Sequence, residues 1–314
     1  MKKGNLLSLI SAVVLGVSAQ AGADENLFGY VSGAETLPQG AAEMYVWLTH
    51  RDDKGRGHYS AYDAELEYEY GVTSRFTASV ALLGQSIDTS GLVIDAYLPG
   101  PEDYGMRFSG IEIKGKYNFL SAAKDPVGLS AILELHYGTL DPHSGLDKDT
   151  GSVDLMFQLQ KFFLDDQLVA VLNTGLESTY AKRDELSAGR QTRADLSIQQ
   201  ISGDPSATFE WPTDPEMEIE YKFGGGLSYR FAPNWYAGVE ALYETEFETE
   251  VGQERWSIFA GPSIHYGGKT WWATLTYFHQ MSGGGEQYID QSDNNLHLIE
   301  KTEHEMRLKV GYNF

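Results

Sequence analysis

The chain has 314 residues, no cysteine, and 45 acidic against 23 basic side chains, for a net charge of −22. That acidity disfavours nucleic-acid binding, and without cysteine there is neither a disulfide framework nor a lipidated cysteine anchor. Mean hydropathy is −0.33 and no long apolar run follows the first two dozen residues, which excludes a helical membrane protein.

The N-terminus carries Lys2 and Lys3, a short apolar stretch from Leu6 to Val17, and then Ala21-Gly22-Ala23. A positive start, a short apolar core and a small-x-small end read as a secretory signal peptide over residues 1–23. The apolar stretch is too short to cross a bilayer, which needs about 20 residues of helix. Residues 24–40 are expected to form a periplasmic segment, and residues 41–314 a single barrel domain.

From there on, apolar residues alternate with polar ones. Tyr62, Ala64, Leu66, Tyr68 and Tyr70 alternate with Asp63, Glu65, Glu67 and Glu69. Met217, Ile219, Tyr221, Phe223, Gly225, Leu227, Tyr229 and Phe231 alternate with Glu218, Glu220, Lys222 and Arg230. Period two marks strands with two unlike faces, and runs of ten to fourteen residues suit tilted strands that cross a membrane. Twelve runs begin near residues 41, 59, 76, 107, 127, 152, 167, 217, 235, 255, 270 and 302. Short connections at Gly71–Arg75, Ser121–Pro126, Leu164–Asp166, Ala232–Asn234 and Gly267–Lys269 alternate with longer polar ones, the longest from Ala181 to Glu216. An even strand count with alternating short and long connections predicts an all-β fold. It is a twelve-stranded antiparallel transmembrane barrel with short periplasmic turns and long extracellular loops.

Aromatic residues cluster at the run ends. Tyr68, Tyr70, Phe162, Phe163, Trp235, Trp271, Trp272 and Tyr312 lie beside short turns, and Tyr62, Tyr137, Tyr180, Tyr243, Trp256 and Tyr277 at the opposite ends. Amphipathic rings at headgroup depth would form two girdles. The last run places Met306, Leu308, Val310, Tyr312 and the terminal Phe314 on one face. It resembles the C-terminal strand that barrel-assembly machinery recognises in outer-membrane proteins.

Two stretches near the start, Glu25-Asn26-Leu27-Phe28-Gly29-Tyr30 and Gly33-Ala34-Glu35-Thr36-Leu37-Pro38, resemble a proteobacterial family of unknown function. The similarity extends through Asp53-Lys54-Gly55-Arg56-Gly57-His58-Tyr59 and Glu67-Tyr68-Glu69-Tyr70-Gly71. More loosely, the architecture is similar to outer-membrane barrels labelled as transporters of hydrophobic or aromatic compounds. Neither resemblance supplies functional residues.

If the apolar parity faces lipid, the other faces the lumen, where acidic positions outnumber basic ones. Asp63, Glu65, Glu67, Glu112, Lys114, Glu134, Arg307 and Lys309 are the expected selectivity residues of a passive, porin-like channel for small cationic or neutral solutes. The alternative is a barrel sealed by its own ion pairs, serving as a structural or surface-binding protein. Arg307 and Lys309 would then neutralise Glu43 and part of the second strand. An even register across the turn at Ala232–Asn234 sets Phe231 opposite Trp235. It also sets Glu220 against Glu246 and Glu218 against Glu248, a pattern that Ca2+ or Mg2+ could bridge. No other cofactor is expected. Asp147-Lys148-Asp149-Thr150-Gly151 only loosely resembles a calcium loop, because Gly151 stands where the motif has Asp or Asn and Gln158 where it has Glu. His58-Tyr59-Ser60 has the His-x-Ser spacing of outer-membrane phospholipases, but no orienting acid accompanies it, so catalysis is not expected. The eight histidines show no transition-metal spacing, and Gly224-Gly225-Gly226 reads as a site of close packing or strand bending. The expected surroundings are the bacterial outer membrane, its lipid and lipopolysaccharide, and the assembly machinery.

Overall fold

A strand whose alternate residues are apolar and polar is stable only between two unlike environments, and a closed barrel supplies both. The computed structural model describes residues 26–93, 103–248, 252–288 and 291–314, so the signal peptide expected over 1–23 lies outside the described residues. The strands are β1 (Ala42–Asp52), β2 (Arg56–Thr73), β3 (Phe76–Val93), β4 (Asp103–Leu120), β5 (Gly128–Leu140) and β6 (Asp147–Phe163). They continue with β7 (Leu168–Arg183), β8 (Glu216–Ala232), β9 (Trp235–Glu248), β10 (Gly252–Gly267), β11 (Trp271–Gly285) and β12 (His304–Asn313). Each strand pairs antiparallel with its chain neighbours, and β1 pairs with β12 to close the barrel. Every strand begins within five residues of its expected start.

The outer face is apolar. On β5, Leu133 and Leu135 are 50% and 48% exposed, whereas the inward Ser130 is fully buried. Tight turns fall where expected; Asn234, in the two-residue connection between β8 and β9, takes φ 66°, a conformation its short amide tolerates. No described helix is long and apolar enough to cross a membrane.

Four expectations need correction. The connection between β1 and β2 is only residues 53–55, because both strands run further than their periodicity suggests. Asp147–Gly151 is not a loop but the start of β6, where Lys148 is buried and Asp149 accepts a hydrogen bond from Tyr137. The long connection between β7 and β8 contains a helix, α1 (Ala188–Ser202), closed by Gly203 at φ 71°. Two girdle residues turn inward: Trp272 is 1% exposed beside Tyr45, and Phe162 packs on a lumen cluster. In each aromatic doublet only one ring can face lipid, since neighbours on a strand point to opposite sides.

Candidate functional site

The inward parity assembles a belt of charge around more than half of the wall. In the register of the sheet Lys114 lies opposite Glu134, Glu134 opposite Asp154, Asp154 opposite Glu177, Glu177 opposite Glu220, and Glu220 opposite Glu246. Arg255 of β10 lies opposite Glu246 and pairs with it. Five carboxylates therefore sit on five consecutive strands, with one cation at each end of the row. Like charges directly opposite one another weaken a ladder. Two lysines soften the repulsion. Lys114 lies 3.1, 2.9, 3.0 and 3.7 Å from Glu65, Glu67, Glu112 and Glu134. Lys222 lies 3.2, 2.5 and 3.3 Å from Asp154, Glu177 and Glu220. Around these two ammonium groups stand seven carboxylates, so the belt keeps an acidic excess. Asp63 pairs with Arg51 at 2.6 Å.

One end of the lumen, on the side of the short turns, is filled by the N-terminal segment. The placement of residues 24–40 in the periplasm is thereby corrected for their described part: from Asn26 to Leu37 the chain runs inside the barrel. Its anchor is Glu240 on β9, 2% exposed, whose carboxylate accepts the backbone N–H groups of Gly29, Tyr30 and Val31 at 2.8, 2.8 and 3.2 Å. The Thr276 hydroxyl also donates to Glu240, at 2.7 Å. Further along, the Ser32 and Ala34 amides donate to Asn173 and Gln160, while Lys116 and Asn118 donate to the carbonyls of Gly33 and Ala34.

Apolar contacts add to these bonds. Leu27, Phe28 and Val31 bury themselves against Val169 and Val171, each full burial being worth roughly 1.5–3 kcal/mol. A Cβ at Gly226 would stand 2.6 Å from the Phe28 ring, and one at Gly224 would stand 2.7 Å from Val31, so the glycine run does serve close packing. Arg307 and Lys309 reach into the barrel and hold this segment. Arg307 donates to the Gly29 carbonyl at 3.1 Å and stacks on Tyr30 at 3.9 Å, and Lys309 donates to Asn26 at 2.9 Å.

The opposite mouth is closed by residues 141–146 and by the described parts of a second connection, 286–288 and 291–303. Asp141 caps its own turn by accepting from the His143 and Ser144 amides, and it pairs with Arg183 and Lys148 at 3.2 and 3.8 Å. Burial would raise the Asp141 carboxyl, but Lys148, Arg183 and those amides outweigh it and hold it below its ordinary value. Lys54 ties the connections together, donating to His143 Nδ1 at 2.7 Å and to the Glu300 carbonyl at 3.0 Å. Arg255 pairs with Glu300 as well as Glu246, and Lys301 reaches Glu244 at 2.7 Å and Glu220 at 3.5 Å. Leu296, Leu298 and Ile299 bury with Tyr288. His297 is depressed to about 3 by burial and by the nearby Arg255 and Lys301.

The rungs Glu218–Glu248 and Glu220–Glu246 stand in the predicted register, although a shift at the turn sets Ala232, not Phe231, against Trp235. Beside the rungs where Ca2+ or Mg2+ was expected stand cations of the chain itself: Lys222 and Lys301 serve Glu220, and Arg255 serves Glu246. Lys301 and Arg255 are invisible to sequence spacing because they arrive from a loop and from a third strand. At the outer rim Ser60 hydrogen-bonds His50 at 2.9 Å, while His58 lies 3.7 Å from Asp88. A nucleophile with its base, and a base with its acid, thus fall on different histidines.

A model described as a family of unknown function, DUF6662, matches residues 20–314. Among solved structures, the chain is similar in fold to an outer membrane channel from Pseudomonas putida F1, with 14% identity and a TM-score of 0.59 over 90% of this chain and 98% of that one. It is also similar to the β domain of the Bordetella autotransporter BrkA, with 13% identity and a TM-score of 0.51 over 88% and 100% of the two chains. The translocator domain of the autotransporter NalP from Neisseria meningitidis matches with 11% identity and a TM-score of 0.51 over 87% and 88%. At such identities the likeness establishes the outer-membrane barrel fold alone. No curated protein matches the chain.

Proposed function

Since this chain belongs to the DUF6662 family, whose function is unknown, we propose a role read from its own wall: an outer-membrane channel that favours small cations and is held shut from both ends. The observation that carries this reading is the circumferential belt from Lys114 to Arg255. A barrel with only a structural task gains nothing from opposing five carboxylates across consecutive strands, since neutral polar residues would pair without repulsion. In a narrow lumen with low-dielectric walls, the same excess charge concentrates cations and repels anions. The two closures are separable from the wall, because neither the N-terminal segment nor the two connections contribute a strand to the sheet. In this reading the short turns face the periplasm and the mouth connections face the exterior, where they meet lipopolysaccharide. The strand before Phe314 engages the assembly machinery.

Planar-bilayer recordings under a salt gradient test the proposal. The intact protein should show rare openings, and deletion of residues 26–36 should give steady conductance with a cation-selective reversal potential. The double variant Glu134→Gln, Glu177→Gln should lose most of that selectivity. A folded deletion variant that passes no current would overturn the channel reading and leave a sealed structural barrel.

A further inference from the structure

The seam between β11 and β12 brings together side chains that sequence spacing keeps apart. His279 and His304 are directly opposite across the ladder and point outward at the rim where the mouth connections begin. Their Nδ1 atoms are 3.2 Å apart. Glu303, one residue before His304, completes a trio whose donor atoms all lie within 4.8 Å of one another. We infer that His279, His304 and Glu303 form a binding site for a transition-metal dication of the zinc class.

Chemistry and geometry agree. Two imidazole nitrogens and a carboxylate suit a borderline ion such as Zn2+, whereas Ca2+ and Mg2+ require oxygen donors. Two imidazoles on one tetrahedral ion at about 2.0–2.1 Å hold their nitrogens roughly 3.3 Å apart, and this pair already stands at 3.2 Å. The rings are stacked with centroids 5.0 Å apart and planes 25° apart. Their second torsions are broad, so a small turn of either ring aims both lone pairs at one point. A ring-to-ring hydrogen bond is a poorer account. The Tyr277 hydroxyl also meets His304 Nδ1, at 2.8 Å, so two donors would compete for one acceptor nitrogen.

The scaffold is fixed in advance. Both histidines lie on paired strands, and the Glu303 backbone is held by its N–H to the Asp53 carbonyl at 2.7 Å and by the Gln280 N–H to its own carbonyl at 2.9 Å. Three protein ligands leave a fourth position for water. All three ligands are half-buried, so an ion can enter from solvent without rearranging the barrel. Glu303 ends the connection that closes the mouth, so a bound ion would tie that connection to β11.

Calorimetric titration of the purified full barrel with Zn2+ should show one saturable site, with no corresponding heat from Ca2+. Co2+ should give ligand-field absorption bands that Zn2+ removes. The variants His279→Gln and His304→Gln should each lose roughly 100-fold in affinity, because even residues behind a ligand are worth roughly 10–100-fold. His58→Gln should bind as the unaltered chain does. Circular dichroism confirms that each variant is folded. Should a variant not fold, carbethoxylation of His279 and His304 in the unaltered barrel, with and without Zn2+, decides the matter: protection supports the site, and unchanged modification overturns it. The absence of saturable Zn2+ binding, or unaltered affinity in folded His279→Gln, would equally overturn it.

Discussion

The two closures of the lumen are built on different physics. The N-terminal segment is held by apolar side chains, by Glu240, a carboxylate saturated by three amides and a hydroxyl, and by Lys116, Arg307 and Lys309, which donate to its backbone carbonyls and to Asn26. The mouth connections are held by buried ion pairs and titratable groups, among them Asp141, Lys54, His143, His297 and Arg255. Apolar contacts and hydrogen bonds to uncharged backbone groups respond less to pH and salt than do paired charges and buried histidines. One closure is therefore a fixed constriction, and the other is sensitive to the medium it faces.

The sharpest way to break this contrast is Glu240→Leu. It removes the acceptor of three amides, at roughly 1–3 kcal/mol for each group left unsatisfied, so a loss of about 3–9 kcal/mol in seating the segment is expected. Hydrogen exchange at Gly29, Tyr30 and Val31 should accelerate, while residues 141–146 and 291–303 keep their protection. Equal acceleration at both ends would show that the closures are coupled.

Gly226→Val is a milder form of the same test. The new side chain meets Phe28, and overpacking of this kind costs about 1–3 kcal/mol. Conductance should rise with no change in its pH dependence.

Acid should act on the other closure. Because His297 is depressed to about 3, the closed connection binds fewer protons than the open one in every solution between pH 3 and the ordinary histidine value of about 6.5. Seating is full above that upper limit and declines as pH falls through the window. Glu300, 3.8 Å away, opposes the shift but is itself held by Arg255. Lys54 and His143 are likewise held low, first by burial and then by neighbouring cations, and act in the same direction, whereas Asp141, held low by its own partners, adds to the effect only below the ordinary carboxyl value of about 3.9. Allowing for the coupling among these groups, roughly tenfold more opening is expected between pH 6.5 and 4.5. In His297→Gln the response over that range should flatten. A flat profile in the unaltered protein would remove the distinction between the closures.

The smallest effect concerns salt. Raising ionic strength from 0.1 to 1 M shortens the screening length from about 10 to about 3 Å. Cation preference should weaken and the mouth loosen modestly, while exchange at Gly29 to Val31 stays constant.

How far the site was legible follows the same division. Glu65, Glu134 and Glu220 could be assigned inward because their neighbours Leu66, Leu133 and Ile219 are apolar, and side-chain parity on a strand is a local property. The rung of Glu220 against Glu246 was legible because a two-residue turn transmits register. The rest of the belt was not. Opposing Asp154 to Glu134 and to Glu177 needs the registers of β5 with β6 and of β6 with β7, and the first crosses a mouth connection whose length does not set strand offset. Helix α1 was missed although Ala188, Arg190, Gln191 and Ala194 favour helix and Gly203 ends one. Its large apolar residues are only Leu196, Ile198 and Ile201, too few to mark a helical stripe.

What the amino-acid order determined by itself is therefore everything that depends on near neighbours. It set twelve amphipathic strands, their tight turns, the apolar outer face and the acidic inner one, since each strand must satisfy lipid on one side and polar surroundings on the other. Only the tertiary structure decided what fills the barrel and which distant residues meet. The segment 26–37 carries Leu27, Phe28 and Val31 without any periodicity to say where they would bury. Closure created the space beside Gly224 and Gly226 that receives them. Sheet registers then set His279 beside His304 and ran the carboxylates from Glu134 to Glu246 in one row, because opposition across strands is a property of the closed ladder and of no single run within it.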